Sequence, residues 1–134
     1  MDEYQALVDA ATTARVRAYT PYSGFQVGAA LLGESGRVYV GCNVENVSYG
    51  LSSCAERNAV FRAVGDGERR FTAVAVVTAA GTPTPPCGAC RQVLSEFAAG
   101  GDLDVVMVTT DGTRKTRRLA ALLPESFRSF ERGQ

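Results

Sequence analysis

The chain has 134 residues, a length suited to one domain whose core buries roughly two thirds of the unfolded surface without a disulfide framework. Apolar residues make up 46% and charged residues 21%, and the formal net charge is zero, which argues against a phosphate-backbone partner. Histidine is absent, and with it go Ser-His and Cys-His dyads, H-E-x-x-H metal sites and any histidine general base.

Met1-Asp2-Glu3-Tyr4 shows no basic run leading into an apolar segment, and no apolar stretch approaches the ~20 residues of a membrane span. The expectation is a soluble cytoplasmic protein whose thiols stay reduced, where clustered cysteines point to metal or catalysis. Residues 3–18 set Tyr4, Leu7, Val8, Ala11, Ala14 and Ala18 at helical spacing. Thr20 to Gly24 is a turn. Phe25–Leu32 and Arg37–Cys42 read as strands of a hairpin turning at Glu34-Ser35-Gly36. Asn43–Ser52 is a polar loop. A helix is expected from Cys54 to Val64, with Ser53 as its N-cap and Glu56 at capping-box spacing. Phe71–Thr78 is a buried Val/Ala strand, followed by a turn-rich loop to Pro85. The next helix runs from Pro86, at its first position, to Ala99, and is stopped by Gly100-Gly101. Leu103–Thr109 is a second buried strand, Arg114–Arg118 an edge strand and Leu119–Leu123 a helical turn. Apolar strands alternating with helices predict an α/β sandwich with helices on both sheet faces, built from one domain over 1–134.

Two cysteine motifs carry the chemistry: Cys54-Ala55-Glu56-Arg57 and Pro86-Cys87-Gly88-Ala89-Cys90. Cys87 and Cys90, three apart at a helix start, face one side. Cys54 opens another helix, and both N-termini favour thiolate over thiol. Three thiolates hold a tetrahedral Zn²⁺ and leave one position for water, whose pKa the metal lowers toward ~7. Glu56 then stands where protons must be moved. Its other reading is a capping or dipole partner. The charge of three thiolates on Zn²⁺ calls for a cation, and Arg57 and Arg91 are the candidates, Arg57 preferred as a donor to the thiolates and otherwise a surface residue. Two rival readings remain for the sulfurs. A closed structural site needs Cys42 as fourth ligand, although Cys42 has no paired motif and otherwise fits as a small buried apolar residue. A Cys87/Cys90 redox pair leaves Cys54 and Glu56 unexplained.

Cys-Ala-Glu-Arg followed by Pro-Cys-Gly-Ala-Cys-Arg-Gln resembles the small homotetrameric cytidine deaminases of nucleoside salvage, which use three cysteines where other zinc deaminases have a histidine. Tyr19 to Ala30 looks like the entry segment of that family and Gly41 to Gly50 like its nucleoside-binding segment. The resemblance covers nearly the whole chain. It implies a three-layer α-β-α sandwich with a mixed five-stranded sheet, and one Zn²⁺ per subunit on Cys54, Cys87 and Cys90. It implies hydrolysis of a cyclic amidine C–N bond, turning cytidine and deoxycytidine into uridine and deoxyuridine. It implies attack by zinc hydroxide at ring carbon 4, with Glu56 taking the water's proton, donating to the ring nitrogen and helping ammonia leave. Asn43 and Glu45 are implied to hold the ribose, Phe25 to lie against the base, and backbone groups at Ala55 to read the pyrimidine edge. Tyr49 and Phe127 are implied to reach a neighbouring subunit's site in a homotetramer.

The residues keep plainer readings beside these. Asn43 and Glu45, two apart on an extended segment, share a face and suit a diol, or are solvated loop positions. Phe25 also fits as core. Phe127 sits in an exposed-looking tail and calls for a partner. Asn58 and Pro85 depart from the family's usual residues, Pro85 at a carbonyl that bears on substrate preference. Alternatives to the main reading are a deaminase of another small cytosine compound, such as blasticidin S, and a non-catalytic zinc-binding module. Zero net charge disfavours a polynucleotide substrate.

Overall fold

A computed structural model describes residues 4–128; Glu3 of the expected first helix and both ends of the expected 1–134 domain lie outside the described residues. The elements in chain order are α1 (Gln5–Arg15), β1 (Val27–Gly33), β2 (Val38–Cys42), α2 (Ala55–Gly65), β3 (Phe71–Thr78), α3 (Gly88–Phe97), β4 (Asp104–Thr109), β5 (Arg114–Arg118) and α4 (Leu119–Leu122). Short 3₁₀ turns occupy Tyr49–Leu51 and Ala99–Gly101. One five-stranded sheet has the order β2-β1-β3-β4-β5. Only β3 and β4 pair in parallel, and α3 lies in their connection; the other neighbours are antiparallel.

Strand alternation divides the core between two faces. Ala29, Leu31, Val74, Val76, Val105 and Met107 pack under α2 and α3. Ala30, Ala73, Ala75, Val77, Val106 and Val108 pack under Leu7, Val8 and Ala11 of α1. The expected three-layer α-β-α sandwich with a mixed sheet is therefore the observed architecture. No helix among the described residues is long and apolar enough to cross a membrane.

Two close approaches require glycine. A Cβ on Gly28 would lie 2.0 Å from the Ala11 carbonyl oxygen, where α1 crosses β1. A Cβ on Gly41 would lie 2.5 Å from both the Ala55 oxygen and the Ala59 nitrogen, so β2 accepts the first turn of α2 only without a side chain there.

Among the boundaries that differ from expectation, three have a visible cause. The first helix stops at Arg15, because Arg17 and Ala18 turn back by i→i−3 bonds to Ala14 and Arg15. β1 starts at Val27 rather than Phe25, because side chains take both backbone groups of Phe25: its N–H donates to Ser23 Oγ at 3.0 Å and its carbonyl accepts from Asn43 Nδ2 at 2.8 Å. Pro86 precedes α3 instead of opening it. Cys87, with extended backbone, is the N-cap.

Candidate metal centre

Cys54 and Cys87 are the N-cap residues of α2 and α3, and Cys90 lies in the first turn of α3. The sheet holds these two helix starts side by side, so unsatisfied N–H groups and the positive ends of both helix dipoles converge on the sulfurs. The three Sγ atoms lie within 4.8 Å of one another, and Cys54 and Cys87 are 3.8 Å apart. Tetrahedral zinc with Zn–S bonds of ~2.3 Å has sulfur–sulfur edges of about 3.8 Å. The donor set therefore fits zinc, and among the described residues no other such group of cysteines and carboxylates occurs. Cys42 is outside the group and only partly buried, so it is neither a fourth ligand nor a plain core residue.

The Cys54 thiol is lowered to about 5, first by a hydrogen bond from Cys90 and then by the Arg57 guanidinium and Cys87, against its burial. Cys90 is pushed well up, because its proton is held by the Cys54 sulfur and its own site is buried. The cluster thus places its first negative charge on Cys54. Arg57 Nη2 donates to Cys54 Sγ at 3.3 Å. Arg91 is turned away from the sulfurs, with its Nε donating to the Pro86 carbonyl and its Nη1 to the Leu122 carbonyl, each at 2.7 Å.

Glu56 follows the N-cap by two residues and is 5% exposed. Burial raises its carboxyl to about 7, with a further push from the Cys54 charge and partial relief from its own backbone N–H. The capping box is not formed. Ser53 makes no side-chain cap on α2; its hydroxyl donates instead to Asn58 Oδ1 at 2.7 Å. Glu56 is consequently free of the cap and faces the cavity.

That cavity has a volume of about 300 Å³ and is lined by Phe25, Asn43, Glu45, Ala55, Glu56 and Cys87 among others. Thr84 and Pro85 also line it. Asn43 and Glu45 are not solvated loop positions. Asn43 accepts from the Val27 N–H at 2.8 Å, and Glu45 accepts from the N–H groups of Tyr22 and Ser23 and from the Ser23 hydroxyl. The hydrogen bond from Ser23 Oγ, with the two N–H groups, holds the Glu45 carboxyl below the usual carboxylate range. Both residues brace the entry segment while lining the cavity. Phe25 is at the cavity and 39% exposed, so the core reading fails. Tyr49 and Phe127 do not line the cavity within this chain; both are exposed.

The role of Ser23 as a partner of Glu45 could not be read from spacing, nor could the contacts of Asn58, which the sequence marks only as an unusual residue. A Ser-Gly turn ahead of an apolar strand is the sole local signal for Ser23.

The sequence matches the family model described as the cytidine and deoxycytidylate deaminase zinc-binding region over residues 1–108. It is 47% identical over 125 residues to a cytidine deaminase of Sporosarcina psychrophila, covering 93% of this chain and 91% of that protein. It is 49% identical over 117 residues to a cytidine deaminase of Mycobacterium tuberculosis, covering 87% of this chain and 84% of that protein. The fold matches the crystal structure of cytidine deaminase from Burkholderia pseudomallei with a TM-score of 0.88 and 48% identity, over 95% of this chain and all of that one (100%).

Proposed function

Because this chain belongs to the family of zinc-binding cytidine and deoxycytidylate deaminases, we propose that it hydrolyses cytidine and deoxycytidine to uridine and deoxyuridine in pyrimidine salvage, releasing ammonia. Zinc-dependent cytidine deamination is its activity, and zinc is its cofactor. The observation that carries the reading is the placement of a buried, protonatable Glu56 on one cavity with a zinc-competent cysteine cluster. A blasticidin-type substrate or a silent zinc module is not favoured, since the similar proteins named above are cytidine deaminases.

Cys54, Cys87 and Cys90 would hold the zinc, which supplies an electrophile able to lower the pKa of an attacking water at neutral pH. Glu56 is the group that carries protons. Its carboxyl, raised by burial, can take a proton from the attacking water and give it to the ring nitrogen, then take the remaining hydroxyl proton and give it to the departing amine. The short path between these positions needs one carboxylate on one wall of the cavity, which is where Glu56 sits. Arg57 holds charge against the thiolates. The free N–H of Ala55, in the first turn of α2, faces the pyrimidine edge, Phe25 lies against the ring, and Asn43 and Glu45 take the ribose hydroxyls. Supporting this last pair, both residues line the cavity, with backbone hydrogen bonds tying Asn43 to Val27 and Tyr19, and Glu45 to Tyr19.

Residues 1–134 form one deaminase domain in this reading, working in the cytoplasm, where the thiols stay reduced. Subunits assemble as a homotetramer in which Tyr49 and Phe127 complete a neighbour's site. Neither nucleic acid nor membrane is a partner.

Zinc-loaded protein mixed with cytidine should show a loss of cytosine ultraviolet absorbance. Glu56→Ala should keep its zinc and lose turnover by about 10²–10⁴-fold or more. An unchanged spectrum with zinc in place would overturn the assignment.

A further inference from the structure

Asn58 stands in α2, one turn from Cys54, and its own N–H makes the helix bond to the Cys54 carbonyl at 3.1 Å. Its side chain reaches off the helix in two directions. Nδ2 donates to the Cys42 carbonyl at 2.8 Å, and Oδ1 accepts from Ser53 Oγ at 2.7 Å. Cys42 immediately precedes Asn43, and Ser53 immediately precedes Cys54. A single amide therefore grips the roots of two segments: the one that carries Asn43 and Glu45, and the one that carries the first thiol. The chain between them is closed by a second tie, since Val44 and Ser53 exchange backbone hydrogen bonds at 3.0 and 2.9 Å. Val44 is held on its other side by Tyr19, which receives the Glu45 N–H at 2.9 Å and donates to the Asn43 carbonyl at 3.0 Å.

Geometry explains why an amide serves here. Asparagine offers a donor and an acceptor on separate atoms of a planar group, so it bridges a carbonyl and a hydroxyl at once. A threonine hydroxyl at the same Cα is shorter and presents both functions from one atom. Asn58 touches none of the three sulfurs in the hydrogen-bond network, and it does not line the cavity. Its effect must pass through the backbone of residues 42 and 53.

We propose that Asn58 is a positioning residue that sets the separation between the ribose-holding segment and the zinc centre, and so determines how strongly the ribose hydroxyls contribute to turnover. The inference rests on the reading that Asn43 and Glu45 hold the ribose.

The experiment compares kcat/KM for cytidine with that for 2′,3′-dideoxycytidine, using intact zinc-loaded enzyme with measured metal content. Asn58→Ala should lower kcat/KM for cytidine about tenfold, the scale of one to two displaced hydrogen bonds, and leave dideoxycytidine within about twofold. The ratio between the two substrates then collapses. Asn58→Thr should restore part of it, and Ser53→Ala, which removes one of the two grips, should shift it in the same direction. A proportional loss on both substrates overturns the proposal, because a merely structural residue would act that way. If Asn58→Ala loses zinc, Ser53→Ala decides: an unmoved ratio there overturns the proposal. Glu45→Gln separates the two readings. A ratio untouched by Glu45→Gln sinks the ribose assignment itself, whereas a ratio that collapses in Glu45→Gln but holds in Asn58→Ala sinks only the role of Asn58.

Discussion

Arg57 Nη2 sits 3.3 Å from Cys54 Sγ, while Nε of the same guanidinium is buried with no hydrogen-bond partner among the described residues. A buried, unpaired N–H is costly, and it is retained here because the charge is needed beside the sulfurs. Three thiolates on a divalent cation leave one negative charge in excess, and Arg57 offsets it at its source. The Cys54 thiolate in turn holds the guanidinium pKa above its ordinary value. Arg57→Gln should cost about 10–100-fold in zinc affinity or in kcat/KM, measured by chelator competition and steady-state kinetics. Arg91→Gln is the contrast. Its bonds tie the start of α3 to the end of α4, so it should lower Tm and leave zinc affinity nearly unchanged.

The contact between β2 and α2 predicts a different kind of sensitivity. At Gly41 an added methyl meets backbone atoms of Ala55 and Ala59, which cannot rotate away. Gly41→Ala should therefore destabilise by about 1–3 kcal/mol. It should also reduce activity, because the displaced turn carries Glu56. Gly81→Ala has nothing within 4 Å of its new Cβ and should change Tm little. Thermal melts of the two variants test the comparison, and equal effects would contradict the steric account.

Acid stability should depend on Asp104. Its carboxylate accepts from Tyr4 Oη at 2.5 Å and from Arg118 Nη1 at 2.9 Å, joining α1, β4 and β5. The Tyr4 hydrogen bond first, and Arg118 second, hold its pKa below the usual value. A depressed folded-state pKa means the stabilisation is fully present above the unfolded value of ~3.9 and is lost as pH falls through the folded value. Wild type and Asp104→Asn should thus differ in Tm by a constant amount above pH ~5, with the gap narrowing below pH ~4 and closing only once pH has fallen through the depressed folded-state value. A gap that persists in acid would assign the effect to packing.

Expectation and structure agree where local pattern and tertiary need coincide. From Phe71 to Val77 every buried position is apolar, as a doubly covered strand requires, and Arg114–Arg118 is polar as an uncovered edge should be. The cysteine cluster was legible for a similar reason: an i,i+3 pair at a helix start, plus a thiol opening a second helix, leaves few ways to arrange the sulfurs. Local signals failed where a distant group made a better offer. Ser53 has the spacing of a capping box with Glu56, yet its hydroxyl goes to Asn58, leaving Glu56 for the cavity. Phe25 has strand character, but Asn43, 18 residues on, takes its carbonyl and delays the ladder. Arg57 and Arg91 look equivalent beside their motifs. Only the fold shows that one faces sulfur and the other backbone carbonyls.

Assembly supplies the last test. Val47, Tyr49 and Leu51 are 75%, 77% and 72% exposed, an apolar run on one 3₁₀ turn and its approach, and Phe127 is 59% exposed. An exposed apolar run such as Val47 to Leu51 marks an interface. Phe127 is held as well as exposed: its carbonyl accepts from Gln92 Nε2 at 2.7 Å, and Ser126 meets Ser95 at 3.3 Å, so α3 fixes this part of the tail. The ring of Tyr49 leans edge-on against Tyr22, with centroids 6.1 Å apart, beside the entry segment. Sedimentation should give a tetramer, and Phe127→Ala should lower kcat/KM by about tenfold or more, the scale of losing one buried aromatic contact. Sharing of sites is then tested by mixing. Under the proposed sharing, Glu56→Ala acts through its own chain's cavity and Phe127→Ala through the cavity of a neighbour. Tetramers reassembled from both variants contain some cavities with an intact Glu56 and an intact neighbouring Phe127, so activity should rise above the average of the separate variants. A mixture that shows only that average would assign Phe127 to its own subunit's fold and remove it from the shared site.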